Sequence, residues 1–435
     1  MVSYRRRAHP LAVRLAAALA LALLAVGIAP ARPAVAVWAP APRGDLTFYG
    51  RGYGHGVGMS QYGARGRAIA GQLAPAILAH YYAGTVLGQR SPATVVRVLL
   101  MSGLVATPAK PATITGRGGA WTIDGMAGTF PKDARLTLAP TAPGATTWSL
   151  TVFSATGSVL ATATVSIAVI ARPASTSTVL ELSSKASTSN LYRGYLRIRL
   201  TTTAMVINHV GVDLYLRGVV PAEMTSSWPV EALKAQAIAA RSYALDRIHP
   251  STGTYDLYDD TRSQVYRGRR AEAAATNSAI SATAGTVLLS GTRLVNALYH
   301  SADGGWTENN ENVFVSSTGS IVAGAVSYLR GSSDRAPDGT SYDAASRYAT
   351  WSTATYTRAE LSSILGEDPR TNVGTLTGLD LSDRGVSGRL IRVVLTGSLG
   401  TKTVSGAVFV DAFNGARPAT DPPMRNTLFG TAPIP

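Results

Sequence analysis

Two periodicities divide this chain. Over residues 94–200, apolar and β-branched positions alternate or run together in short stretches, notably at 94–100 and 148–153, with Gly/Pro clusters between them. That pattern predicts a strand-rich segment. Over residues 229–248 the spacing becomes helical. Val230, Leu233, Ala237, Ala244 and Ile248 share one side, and Ala235, Ala239 and Ala240 keep most of the rest small. Pro229 suits the first turn, Glu231 faces the positive end of the helix dipole, and His249-Pro250 predicts the stop. Neighbours can approach such a helix closely from several directions, which predicts a place in the middle of its domain. Residues 201–330 mix both periods. A helical stretch is expected to end near Tyr82. From Trp351 strands return, at 390–395 and 403–410, with one helix over 357–365. The expected architecture is α+β: mixed sheets around a central buried helix, plus a β-rich segment.

The first residues read as an address. Arg5, Arg6, Arg7 and Arg14 precede a short Ala/Leu-rich apolar run at 15–28, and Ala34-Val35-Ala36 has the small-x-small form of a cleavage site. The run falls short of the ~20 residues that span a bilayer. This predicts a signal peptide at 1–36 and an exported, extracytoplasmic protein. Membrane contact is expected only through an uncleaved leader. A Pro/Ala linker follows at 37–47, a Gly-rich segment at 48–90, the β-rich part at 91–200, a core at 201–350 and an α/β part at 351–435.

Composition sharpens this. Of 435 residues, 46% are hydrophobic and 15% charged, which suits a folded chain with a real core. There is no cysteine, so disulfides, thiolate catalysis and Cys-built zinc sites are excluded. The formal charge of +15 falls to +10 when the five arginines among residues 1–36 are removed. A basic exported surface meets anionic wall polymers, lipid headgroups or peptide carboxylates. Nucleic acid is not expected, because no Lys/Arg run interleaves with aromatics.

Four segments could carry chemistry. Glu223 is a lone carboxylate among Val219, Val220, Pro221, Ala222, Met224 and Trp228. Buried there, it would keep its proton near neutrality and could protonate a leaving oxygen. It could equally pair with Arg217 or Arg241. In the second segment, Gly52, Gly54, Gly56 and Gly58 alternate with other residues beside His55, Ser60, Gln61 and Tyr62, suiting either sugar hydroxyls or a tight structural turn. The third places Ser301, Gly304, Gly305, Trp306 and Thr307 together. In the fourth, Asp256, Asp259 and Asp260 lack calcium-loop spacing and read as a solvated turn. No G-x-S-x-G or H-E-x-x-H occurs.

Together, GVVPAEMTSSWPVEALKAQAIAARSYAL, YHSADGGWT, SQVYRG and GRGYGHGVGMSQYGARGRA resemble the SpoIID/LytB family of sporulation and cell-wall proteins. The resemblance spans most of residues 48–415. It implies a lytic transglycosylase acting on MurNAc-GlcNAc bonds of peptide-free glycan strands, with Glu223 as acid and base. It implies cleft or scaffold roles for His55, Met59, Ser60, Gln61, Gln236, Arg241, Tyr243, Ser301, Gly304, Gly305 and Thr307. Of these, all but Met59 are taken as substrate-binding. The alternative is a non-catalytic enhancer of a cell-wall amidase, or a wall-binding protein. No cofactor is expected. Two departures stand out. The Gly-His-Gly motif, which in the family usually follows the main domain, comes first here, at residues 49–63, so this N-terminal segment is expected to fold back onto the Glu223 domain. Where many relatives hold zinc with Cys and His, this chain has Tyr258, Arg262 and Ser263, so no metal is expected.

Overall fold

The computed structural model describes residues 44–248 and 253–434. The leader expected at 1–36, the linker residues 37–43 and the His249-Pro250 stop lie outside them.

The strand-rich stretch forms two antiparallel six-stranded sheets. One runs in the order Leu257–Tyr258, Val95–Leu104, Ala204–Gly211, Tyr195–Leu200, Ala168–Pro173, Trp121–Ile123, with only its first pair parallel. The other runs Leu191–Tyr192, Val179–Leu182, Ala112–Arg117, Arg135–Pro140, Trp148–Phe153, Val159–Val165. Alternating burial along Trp148–Phe153 matches the two-residue period that predicted it. The sheets share one apolar core, which extends to the helix Val212–Glu223.

Eight helices occur among the described residues: α1 (Gln61–Ile69), α2 (Ala74–Tyr81), α3 (Val212–Glu223), α4 (Val230–Asp246), α5 (Ala274–Ala282), α6 (Asn310–Val313), α7 (Arg358–Gly366) and α8 (Gly406–Ala416). The central helix is α4, in which every residue from Ala235 to Leu245 is buried. Its alanines let α1, α2, α3 and α5 pack around it. Pro229 caps it rather than occupying its first turn, and Val230 points to solvent, 52% exposed.

Residues 46–90 are shared among neighbours. Strand Leu46–Gly50 lies between Trp351–Tyr356 and Phe429–Gly430. Its Phe48, fully buried, packs edge-on against Phe409, Phe413 and Phe429 at centroid distances of 5.5–5.9 Å. The helical stretch before Tyr82 breaks into α1 and α2. The backbone N–H of Ala74, at the start of α2, donates to Glu231 of α4 at 2.8 Å. Val86–Gln89 then pairs with Thr286–Ser290.

In the C-terminal part, α7 starts at a capping box in which Thr357 and Glu360 satisfy each other's backbone N–H groups. The strand expected over 403–410 stops at Ser405. The Ser405 hydroxyl accepts from Val408 N–H at 3.2 Å, and this cap turns the chain into α8. None of the described helices is long and apolar enough to cross a membrane.

Candidate active site

Glu223 is the last residue of α3, and Met224 swings into extended backbone to carry the chain toward α4. A carboxylate at a helix C-terminus faces the negative pole of the dipole, which disfavours its charge. Burial pushes its titration above the ordinary value in the same sense, while the backbone N–H of Val265 and the side chains of Gln61 and Tyr299 pull it back. Val265 N–H donates to Glu223 Oε1 at 2.8 Å. The residue is half-buried, so the carboxyl keeps a way out to solvent.

Neither arginine that might have neutralised it does so. Arg241 is fully buried and donates through Nε to Asp213 at 2.6 Å, and through its other nitrogens to the carbonyls of Ala237, Thr286 and Ile280. Arg217 Nε is buried without a partner. Among the described residues Glu223 makes no ion pair.

Beneath it lies a network of neutral hydroxyls joined by Gln264, 1% exposed. Gln264 Nε2 donates to the Ala240 carbonyl at 3.3 Å and to Tyr299 Oη at 3.0 Å, and Gln264 Oε1 accepts from Tyr215 at 3.2 Å. Because a carbonyl only accepts, the Ala240 contact fixes which end of the amide is nitrogen. Tyr299 Oη is therefore the acceptor from Gln264, and its proton is free for Glu223. Burial pushes the Tyr215 and Tyr299 hydroxyls well up, so both stay protonated. Glu223 also acts on Tyr243, whose hydroxyl meets Ser263 and Arg247.

Gln61 reaches this carboxyl because the Gly-rich segment folds against residues 298–305. Met59–Ser60 pairs in parallel with Tyr299–His300, and Tyr53 bridges Ala302. Gly52, Gly54, Gly56 and Gly58 all have positive φ, from 70° to 99°. At Gly54 a Cβ would meet His300 Cβ at 3.0 Å, and at Gly58 it would run into the Leu298 carbonyl. His55 lies tilted beside His300, with centroids 5.3 Å apart and planes at 53°. Its Nδ1 accepts from Val57 N–H at 3.0 Å while the ring donates to the Tyr299 carbonyl, and burial pushes it down to about 4. His55 is thus a neutral clamp on the loop.

Of the ten residues expected to bind substrate, Gln61 faces Glu223, Tyr243 lies near it, and Ser301 accepts from Tyr62 N–H at 2.9 Å. Gln236 and Arg241 are fully buried inside the α4 packing. Ser60 caps α1 with no exposed surface. The Gly304 and Gly305 N–H groups donate to Asp343 and Asp303, and the buried Thr307 hydroxyl exchanges hydrogen bonds with Ser332. Ser60, Gln236, Arg241, Gly304, Gly305 and Thr307 thus have their polar atoms covered, while half-buried His55 holds the Val57 N–H through Nδ1.

Residues 201–289 match the SpoIID family, Stage II sporulation protein. That stretch carries α3, Glu223, α4 and Gln264. This segment of the chain is of the SpoIID/LytB type. It is 43% identical over 108 residues to the Amidase enhancer of Bacillus subtilis, covering 25% of this chain and 14% of that one. It is 29% identical over 197 residues to Stage II sporulation protein D of the same organism, covering 41% and 52%. It is 33% identical over 125 residues to an uncharacterized protein of Brachyspira hyodysenteriae, covering 28% and 34%. The chain thus spans between 14% and 52% of the length of these curated relatives. No solved structure matches it.

Within this SpoIID/LytB site, single-residue reasoning passed over Tyr299, Gln264 and Val265. All three stand inside the motifs YHSADGGWT and SQVYRG, and only the fold brings them to Glu223. Also missed was a buried trio of carboxyls, Asp303, Asp334 and Asp343, spread along the sequence. Asp334 accepts from Arg67 at 2.8 Å and Tyr81 at 2.7 Å. Burial, then Asp334 and Asp343, push Asp303 well above the usual carboxylate range.

Proposed function

We propose that this chain is an exported peptidoglycan lytic transglycosylase with Glu223 as its single acid and base. What supports the reading is a half-buried carboxyl with no countercharge among the described residues, raised by burial, with the Val265 N–H on its Oε1 and the side chains of Gln61 and Tyr299 favouring its ionised form. Such a group gives up a proton and takes one back. Glu223 protonates the oxygen between N-acetylmuramic acid and N-acetylglucosamine as the C1–O bond breaks. The muramyl 6-hydroxyl closes on C1, and its proton returns to Glu223. The products are a 1,6-anhydro end and a free 4-hydroxyl, with no second carboxylate needed, in contrast to ordinary glycosidases.

The test is incubation of the full mature protein with peptide-free glycan strands, with mass spectrometry of the ends. Wild type should yield anhydro-muramic ends and Glu223→Gln should yield none. No ends from wild type, or equal yields, would reject the enzyme. The likeness to an amidase enhancer favours a second reading, a wall-binding protein that raises a cell-wall amidase's activity. That reading expects Glu223→Gln to stimulate the amidase as well as wild type does.

A further inference from the structure

On α1, the helix that brings Gln61 to Glu223, Arg65 follows one turn later. Residues four apart on a helix share a face, with Cβ atoms ~5–6 Å apart. The Arg65 guanidinium lies over the Trp228 ring, 5.7 Å from its centroid. Tyr62 meets the same indole edge-on, with centroids 4.8 Å apart and planes at 65°. Trp228 belongs to the short turn between Glu223 and α4, so the platform flanks the acid from both α1 and that turn. Tyr62, Arg65 and Trp228 are each half-buried, which leaves them open to a ligand. Among the described residues Arg65 has no ion pair and no hydrogen-bond acceptor, unlike Arg67 on the same helix, which holds Asp334 at 2.7 Å.

We infer that Tyr62, Trp228 and Arg65 form a subsite for a sugar ring bearing a carboxylate, with Arg65 pairing the lactyl carboxylate of a muramic acid that carries no peptide. Aromatic faces take the apolar side of a pyranose, and a planar guanidinium matches a carboxylate with two parallel hydrogen bonds. A stem peptide turns that carboxylate into an uncharged amide and removes what Arg65 would hold. Arg65 thereby makes the neighbouring acid selective for stripped strands. This rests on the reading of Glu223 as the group at the scissile bond.

The test separates the two claims by measuring binding without cleavage. In the Glu223→Gln full-length protein, calorimetry reads the affinity for a short peptide-free oligomer of alternating N-acetylglucosamine and N-acetylmuramic acid. The control is the same oligomer with its lactyl carboxylates converted to amides. Adding Arg65→Gln should weaken the acid form roughly 10- to 100-fold, the scale of a hydrogen bond to a charged group, and leave the amide form unchanged. Arg65→Lys should restore part of the loss, and Trp228→Ala should weaken both forms. Equal losses for acid and amide on Arg65→Gln, or no binding of either form before that substitution, overturn the subsite. Arg65-dependent discrimination in a protein whose wild type cuts nothing upholds the subsite and rejects the enzyme.

Discussion

Removing one oxygen atom, in Tyr299→Phe, tests how the acid is held ready. Gln264 donates to Tyr299 Oη at 3.0 Å while its other contact, to the Ala240 carbonyl, fixes its orientation. The Tyr299 proton therefore points away from Gln264, toward Glu223, and favours the ionised carboxylate. A hydrogen bond to a charged group contributes ~1.5–3 kcal/mol. The lower end applies, because Val265 N–H already holds Oε1 at 2.8 Å and shares the charge. At ~1.4 kcal/mol per factor of ten, the ratio of protonated to ionised Glu223 should rise roughly tenfold at fixed pH. In the proposed reaction bond breaking needs the protonated form, so activity is expected to decline as pH rises through the Glu223 titration. Without the hydroxyl that decline should move to higher pH. Release of anhydro-muramic ends across a pH series measures it, and ¹³C-labelled Glu223 followed by NMR in the unliganded protein gives the titration directly. A decline that stays in place, or moves to lower pH, refutes the assigned direction of the Tyr299 proton.

Two further outcomes follow from the buried charges. Asp303 is held neutral by burial beside Asp334 and Asp343. Its raised titration favours the folded state at low pH, and that contribution is lost as pH climbs from the ordinary carboxylate range through the raised one. Asp303→Asn should therefore fold normally and lose less stability than wild type on moving to alkaline pH, read by thermal melts. Arg241→Met strips the Asp213 carboxylate of its partner, and breaking a buried pair costs about 3–5 kcal/mol. Denaturant unfolding should show that loss, while the pH dependence of the proposed cleavage by the surviving folded protein stays as in wild type.

Much of the scaffold is legible in local pattern. The strands at 94–100 and 148–153 and the small-sided helix α4 follow from periods of 2 and 3.6, and Thr357 with Glu360 announces α7. What local pattern misses is decided by partners far along the chain. Residues 406–410 are apolar enough for a strand, yet the Ser405 cap and the phenylalanine cluster around Phe48 make them helical. The site divides the same way. Glu223 stands out by its apolar neighbours, but the groups that favour its charge come from residues 61, 265 and 299, and no spacing rule links them. Gln236 and Arg241 look chemical in sequence and are sealed in the α4 packing.

The strand Leu46–Gly50 has a neighbour on each side, and both come from the last hundred residues. A chain cut after the Gly-rich segment would uncover two bare strand edges at once, which invite association with other copies. It would also lose Gln61, and with it one of the groups that face the acid. The sheet and the surroundings of Glu223 are therefore completed by the same closure, and a half-assembled molecule has neither a sealed sheet nor Gln61 beside the carboxyl.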